Sequence, residues 1–207
     1  MTEYKRLSFL IILISPSGGG KSSITDRILD DSENIDYSIS YTTRPARHNE
    51  ENGVDYNFVS DSEFNKLLGE NEFLEHAIVH GYSYGTSRKF IKNILTKGHH
   101  AILDIDVQGA AQIIEKGIDT ITIFILPPSE KILKERLNNR KTDSEEVIAI
   151  RLKNARKELD YLDLNKFQYL VLNDNFEEAV NDVKQIVSSE EKKIKRIKNI
   201  KKTFYGG

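Results

Sequence analysis

The 207-residue chain contains no cysteine, which excludes disulfides and thiolate metal sites and fits a reducing cytoplasm. No charge of one sign dominates either. The formal net charge is −2, so no global field selects nucleic acid or an acidic membrane. The apolar run Leu7 to Ile14 follows Lys5 and Arg6 but is far too short to span a bilayer. It leads directly into Ser-Pro-Ser-Gly-Gly-Gly-Lys, not into a small-residue cleavage site, and its isoleucines suit a buried parallel strand of a cytoplasmic protein. There is no internal repeat and no low-complexity linker. The five histidines form no metal-binding pattern: His99 and His100 are adjacent and on a strand face opposite sides. What is present is ordinary: 38% hydrophobic and 30% charged residues, enough for one α/β domain with one or two small inserts.

Along the chain, the first strand is followed by a glycine loop and a helix from about Lys21 to Leu29. Short strands are expected around Asp36 to Tyr41, Val54 to Val59 and Glu72 to His80. A helix follows over Ser87 to Lys97, then buried strands at His100 to Asp106 and Thr120 to Leu126, with a short helix between them that Gly117 stops. Two charged helices are expected over Ser129 to Asn139 and Asp143 to Leu162, the second with Asp143 and Glu146 at capping-box spacing. A fourth core strand, Phe167 to Asn173, precedes a last helix near Phe176. This alternation implies a parallel sheet with helices on both faces. The β-rich interval from Tyr37 to Tyr84 breaks it and reads as an inserted subdomain.

The glycine loop carries the first chemistry. Ser15 to Ser22 reads S-P-S-G-G-G-K-S, one serine away from the phosphate-loop pattern G-x-x-x-x-G-K-[ST]. Gly18, Gly19 and Gly20 let backbone N–H groups close around a phosphate, and Ser15, Pro16, Ser17 and Ser23 are the other residues expected to line the ATP phosphates. Lys21 would reach the β- and γ-phosphates and the Ser22 hydroxyl would ligate Mg²⁺. Ser15 at the first position is tolerable unless a left-handed backbone is required there, where it would cost ~1 kcal/mol.

A second anion site is suggested by Arg44 and Arg47, three apart around Pro45, a spacing suited to a bidentate phosphate clamp. Tyr56 and Tyr84 offer phenol donors to the same anion. With "SISYTTRPARHNEENGVDYNF", "FLEHA", "YGT", "ILDIDVQGA", "PPS", "ERLNNRKTDSEEVIAIRL" and "VLNDN" in order after the loop, the chain resembles the guanylate kinases from about Phe9 to Val187. The resemblance implies a P-loop parallel core (8–37, 88–127, 163–190), a β-rich GMP-binding subdomain (38–87) and a helical lid (128–162), with a basic tail (191–207). It implies that Ser40, Glu75, Thr86 and Asp106 contact guanine while Arg44, Arg47, Tyr56 and Tyr84 hold the GMP phosphate. Guanine shows two adjacent donors that one carboxylate accepts, and adenine would leave Glu75 unpaired, a difference worth ~10⁴-fold.

The implied reaction transfers the γ-phosphoryl of MgATP to GMP or dGMP. Asp104, ending an apolar strand, is placed to hold Mg²⁺ through water. Arg136 and Arg140 share a helix face at a spacing of four and, with Arg151, resemble the lid arginines. Asn173 resembles the adenine-side position. Ser15, Lys141 in the lid and Asn175 in "NDN" depart from the family pattern. Two rival readings remain: an inactive guanylate-kinase-like interaction module, which would be expected to lack Lys21 or Asp104, and a kinase for another nucleoside monophosphate, against which Glu75 and Ser40 argue. GMP and ATP are the expected partners, with nucleic acid and membrane disfavoured. Seven Lys or Arg between Lys192 and Lys202, with Ile194, Ile197 and Ile200 at helical spacing, read as a solvated helix end.

Overall fold

Every residue of the strand Leu10–Ile14 (β2) is buried, as a run of isoleucine and leucine at the middle of a sheet requires. The computed structural model describes residues 4–79, 81–139, 144–160 and 167–205. A short strand, Lys5–Arg6 (β1), precedes β2, and helix Lys21–Asp30 (α1) follows the glycine loop to strand Ile35–Tyr37 (β3). Helix Arg88–Lys97 (α3), strand His100–Asp104 (β8), helix Val107–Glu115 (α4) and strand Thr120–Leu126 (β9) continue the alternation beyond an inserted segment. Helices Glu130–Asn139 (α5) and Glu145–Asp160 (α6) then lead to strand Tyr169–Leu172 (β10) and helix Phe176–Glu191 (α7).

The core sheet has the order β10-β9-β2-β8-β3 and is parallel throughout. Its two faces are covered separately. Ile11, Leu13, Ile102, Ile123 and Val171 pack toward Ile24 and Ile28 of α1 and Val180 and Val183 of α7. Leu10, Ile12, Leu103 and Phe124 pack toward Ile91 and Ile94 of α3 and Ala110 and Ile113 of α4. Helix ends follow local chemistry: Ser87 accepts the Phe90 N–H to start α3, Gly98 (φ 89°) ends it, and Asn175 accepts the Glu178 N–H to start α7. Among the described residues no helix is long and apolar enough to cross a membrane.

The insert forms a second sheet in the order β5-β4-β7-β6, from strands Tyr41–Thr42 (β4), Asn57–Phe58 (β5), Phe73–Val79 (β6) and Tyr82–Ser87 (β7). It also holds a helix, Asp61–Gly69 (α2), where the sequence reading expected none. Ser60 and Glu63 begin it with the Ser60 hydroxyl accepting the Glu63 N–H, and Phe64 is its buried anchor. At the start of α6, Ser144 accepts the Val147 N–H at 3.4 Å; Asp143, expected to cap this helix with Glu146, lies outside the described residues with Arg140 and Lys141.

The basic tail is not a continuous solvated helix. α7 ends at Glu191, a 3₁₀ turn spans Ile194–Arg196, strand Ile197–Lys198 (β11) pairs antiparallel with β1, and Ile200–Tyr205 (α8) follows. The cause is Arg196, only 1% exposed. Its guanidinium lies 3.9 Å from the centre of the Phe9 ring, donates to Glu190 at 2.5 Å, and donates twice to Asp119 at 3.0 Å. Buried Glu190 also accepts from Tyr169 and Lys193. Burial alone would raise its pKa, but Lys193, Tyr169 and Arg196 together hold it below the ordinary range. Nearby, His100 accepts the Phe9 N–H through Nδ1 at 3.2 Å and faces Glu191 through Nε2 at 2.9 Å, with burial pushing its pKa down. Arg196→Ala would leave Glu190 buried without its guanidinium, and urea unfolding should show a loss of about 3–5 kcal/mol. A loss below about 1 kcal/mol would mean that apolar packing, not this charge cluster, fastens the tail.

Candidate active site

The glycine loop joins the end of β2 to the start of α1, and each glycine has a separate steric reason. Gly18 (φ 93°) passes under α5, where a side chain would meet Leu137 at 2.9 Å. Gly20 (φ 98°) precedes the first helical residue, and a side chain there would strike the Asn173 amide at 2.2 Å. At Gly19 the obstacle would be the Ser15 hydroxyl, 1.9 Å from a would-be Cβ. Ser15 itself is unstrained, because among the described residues only Asn71 and Asn199 are non-glycine residues at positive φ. The serine therefore costs no left-handed backbone; a side chain at position 19 would have to displace its hydroxyl and crowd the Pro16 carbonyl, 3.0 Å away.

Asn173 braces this loop. It is buried, its amide donates to the Gly19 carbonyl at 2.8 Å, and its own carbonyl accepts from Arg136 at 2.8 Å. Two residues expected on the adenine side and in the lid are thus joined behind the phosphate loop. Arg151 of α6 reaches the loop from above, donating to the Ser17 hydroxyl at 2.9 Å. Arg140 lies outside the described residues.

Lys21 and Asp104 face each other as an ion pair. Asp104 ends β8, directly opposite Leu13 of β2 in the parallel register. Two residues on, Asp106 caps α4: one carboxylate oxygen accepts the Gly109 N–H at 2.9 Å and the other accepts from Gln108 at 3.0 Å. Across the cleft Glu75 is 3% exposed on β6 and accepts from Thr86, its partner on β7, at 2.5 Å. Burial, reinforced by Asp106 and opposed by the Thr86 hydrogen bond, pushes the Glu75 pKa up to about 7. Ser40 is buried beside the same cleft.

A cavity of about 340 Å³ brings together the loop with Lys21 and Ser22, Asp104 and Asp106 from the core, and Ser40, Tyr56, Glu75 and Tyr84 from the insert. The two arginines of the proposed clamp have other partners. Arg44 forms a fork with Glu50 at 2.7 and 2.9 Å, and its guanidinium lies 5.4 Å from the Tyr56 ring centre. Arg47 is largely exposed, and its backbone N–H donates to Glu50 at 2.8 Å. Burial raises the Tyr56 pKa to about 12, so its phenol stays a donor. Among the described residues no group of three or more His, Asp or Glu is placed to hold a metal.

Three acids or spacers escaped the sequence reading. Glu50 was visible as the residue three beyond Arg47. Gly109 was visible as a glycine inside a helical pattern with no turn to explain it. Glu158 lies seven residues after Arg151, on the same face of α6, and lines the cavity. Burial raises its pKa to about 7, and Lys21 opposes that rise.

A family model described as guanylate kinase matches residues 8–190 of the chain. The guanylate kinase of Methylobacillus flagellatus is 47% identical over 181 residues, covering 87% of this chain and 89% of that protein. That of Thermotoga maritima is 44% identical over 187 residues, covering 90% and 89%. The crystal structure of guanylate kinase from Anaplasma phagocytophilum superposes with a TM-score of 0.79 at 33% identity, covering 97% of this chain and 95% of that one. With its parallel core, its phosphate loop and its inserted sheet, the chain belongs to the guanylate kinase family.

Proposed function

We propose that the chain is a cytoplasmic ATP:GMP phosphotransferase. An oxygen of the GMP phosphate attacks the γ-phosphorus of ATP, the bond from that phosphorus to the β,γ-bridging oxygen breaks, and ADP and GDP leave. The observation that carries this reading is the shared cavity, in which the phosphate loop with Lys21 faces the buried Glu75 and Asp106. Little covalent chemistry is required of the protein; alignment and positive charge supply the rate.

The loop N–H groups would cradle the ATP phosphates, with Lys21 turning from Asp104 toward the β- and γ-phosphates. Ser22 and Asp104 offer hard oxygen ligands suited to Mg²⁺, with Asp104 acting through water. When bound, the cation would neutralise charge on the β- and γ-oxygens. Glu75, helped by Asp106 and Thr86, would accept the N1–H and N2 amino protons of guanine, and Ser40 would donate to O6. Arg44, Arg47, Tyr56 and Tyr84 would hold the acceptor phosphate. Arg151, with Arg136 and Arg140, would close the lid (128–162) over the donor while the 38–87 insert carries GMP, so that the site assembles only with both nucleotides present. The inactive-module reading has nothing in its favour, since Lys21, Ser22 and Asp104 are all retained.

A coupled ADP-release assay with GMP, AMP, dTMP and CMP tests the reading: turnover is expected with GMP and falls steeply with the others. Absence of turnover with GMP would sink it, and equal turnover with AMP would sink the role of Glu75. A second expectation concerns pH. Because burial raises the Glu75 pKa from 4.5 to about 7, the fold favours its neutral form, and this carboxyl lowers stability as pH rises through that window. Guanine needs the charged form, so the KM for GMP should rise about tenfold from pH 8 to pH 6. Glu75→Gln separates this from titration of the GMP phosphate; an equally steep profile in that variant would place the effect elsewhere. Third, Ser15→Gly should leave turnover within about tenfold, a barrier change of ~1.4 kcal/mol. A larger gain would mean that the serine impairs the loop despite its unstrained backbone.

A further inference from the structure

Gly109 sits inside α4, where alanine would form the better helix. It does not have a left-handed backbone and does not end the helix, so neither usual reason for glycine applies. Its neighbours give another reason. A methyl group on Gly109 would lie 2.3 Å from Glu75 Oε2 and 2.9 Å from Glu75 Cδ. The helix approaches the buried carboxylate so closely that only a hydrogen fits between them.

The strand cannot back away. β6 is an edge strand of its sheet, and its backbone groups at Leu74 and His76 are taken by side chains of Gln112 in α4 and of Lys116, which caps that helix. Gln112 accepts the His76 N–H at 3.2 Å and donates to the His76 carbonyl at 2.6 Å, while Lys116 donates to the Leu74 carbonyl at 2.5 Å. Positions 109, 112 and 116 recur on one helix face. Two polar anchors therefore fix the spacing of α4 and β6 on either side of Glu75, and the missing side chain at 109 sets where its carboxylate rests.

We propose that Gly109 is a positioning residue for guanine recognition, holding the Glu75 carboxylate against α4 beside Asp106. The inference rests on the GMP-kinase reading above. An added methyl would not break the fold, because the group forced to move is the flexible end of a side chain. It would turn Glu75 away from the place where it accepts the guanine N–H groups, so function and stability should part company.

The test is Gly109→Ala, by steady-state kinetics and thermal melting, alone and in the Glu75→Gln background. The KM for GMP should rise at least about tenfold, as for loss of a charged hydrogen bond, while the KM for ATP stays within about twofold and Tm does not fall. In the Glu75→Gln background the same change should alter the KM for GMP by less than about threefold, because the displaced group no longer contributes. A GMP KM within about twofold of wild type in the single variant would overturn the inference. So would equal effects in both backgrounds, or a lowered Tm with a parallel loss of ATP affinity. A wild-type protein that does not phosphorylate GMP would overturn the functional reading and this inference with it. A wild type that does, beside an unaffected Gly109→Ala, would overturn this inference alone.

Discussion

The pairing of Leu13 with Asp104 across β2 and β8 is the constraint on which the donor half of the site depends. Both strands are buried on both faces, so a one-residue slip would exchange the side chains packed against α1 and α7 for those packed against α3 and α4. From that register the phosphate loop leaves β2 beside the end of β8, and Lys21 meets Asp104 without any long reach. The opposite end of the strands is closed by Arg196, Glu190 and Asp119. That charge cluster fixes the N-terminal ends of the strands, and the C-terminal ends are left for chemistry, as open parallel sheets dispose them.

The acceptor half is tied to this frame through α4. The helix begins three residues after Asp104, so the acid proposed to hold the cation and the acid that caps the helix come from one short turn. Its face toward the insert then supplies hydrogen bonds to the edge of β6, joining the inserted sheet to the core. Glu75 is consequently positioned by the same helix whose N-terminus Asp106 satisfies. The resulting site is dry enough that both Glu75 and Glu158 are pushed to about 7 by burial.

Much of this was legible in the sequence, for a physical reason. The core strands are long apolar runs, and the loop and helices are bounded by glycine, serine and asparagine at positions with direct backbone meaning. The insert was less legible because its strands are short and its polar content is high, so α2, which buries little beyond Phe64, left only a capping box as its trace. The tail was misread because Ile194, Ile197 and Ile200 mimic a helical stripe, whereas Arg196 is the residue that is buried. Its partners Glu190 and Asp119 come from separate elements, and no local pattern announces such a cluster. The roles of Asn173 and Gly109 were hidden similarly: one braces a loop far away in sequence, and the other matters through an atom it lacks.

Arg44 and Arg47 look equivalent as a spaced pair, yet their surroundings give them different work. Arg44 is held between Glu50 and the Tyr56 and Phe58 rings, so its direction is fixed while much of its charge is already answered. The Arg44 guanidinium in turn holds Glu50 below the ordinary carboxylate range, so this pairing persists through neutral pH. Arg47 projects into solvent, 4.0 Å from Glu50 at its nearest nitrogen. On the proposed reading, Arg44 supplies geometry and Arg47 supplies free positive charge to an arriving phosphate. Glu50 links the two, because the carboxylate that the Arg44 guanidinium grips also accepts the Arg47 backbone N–H.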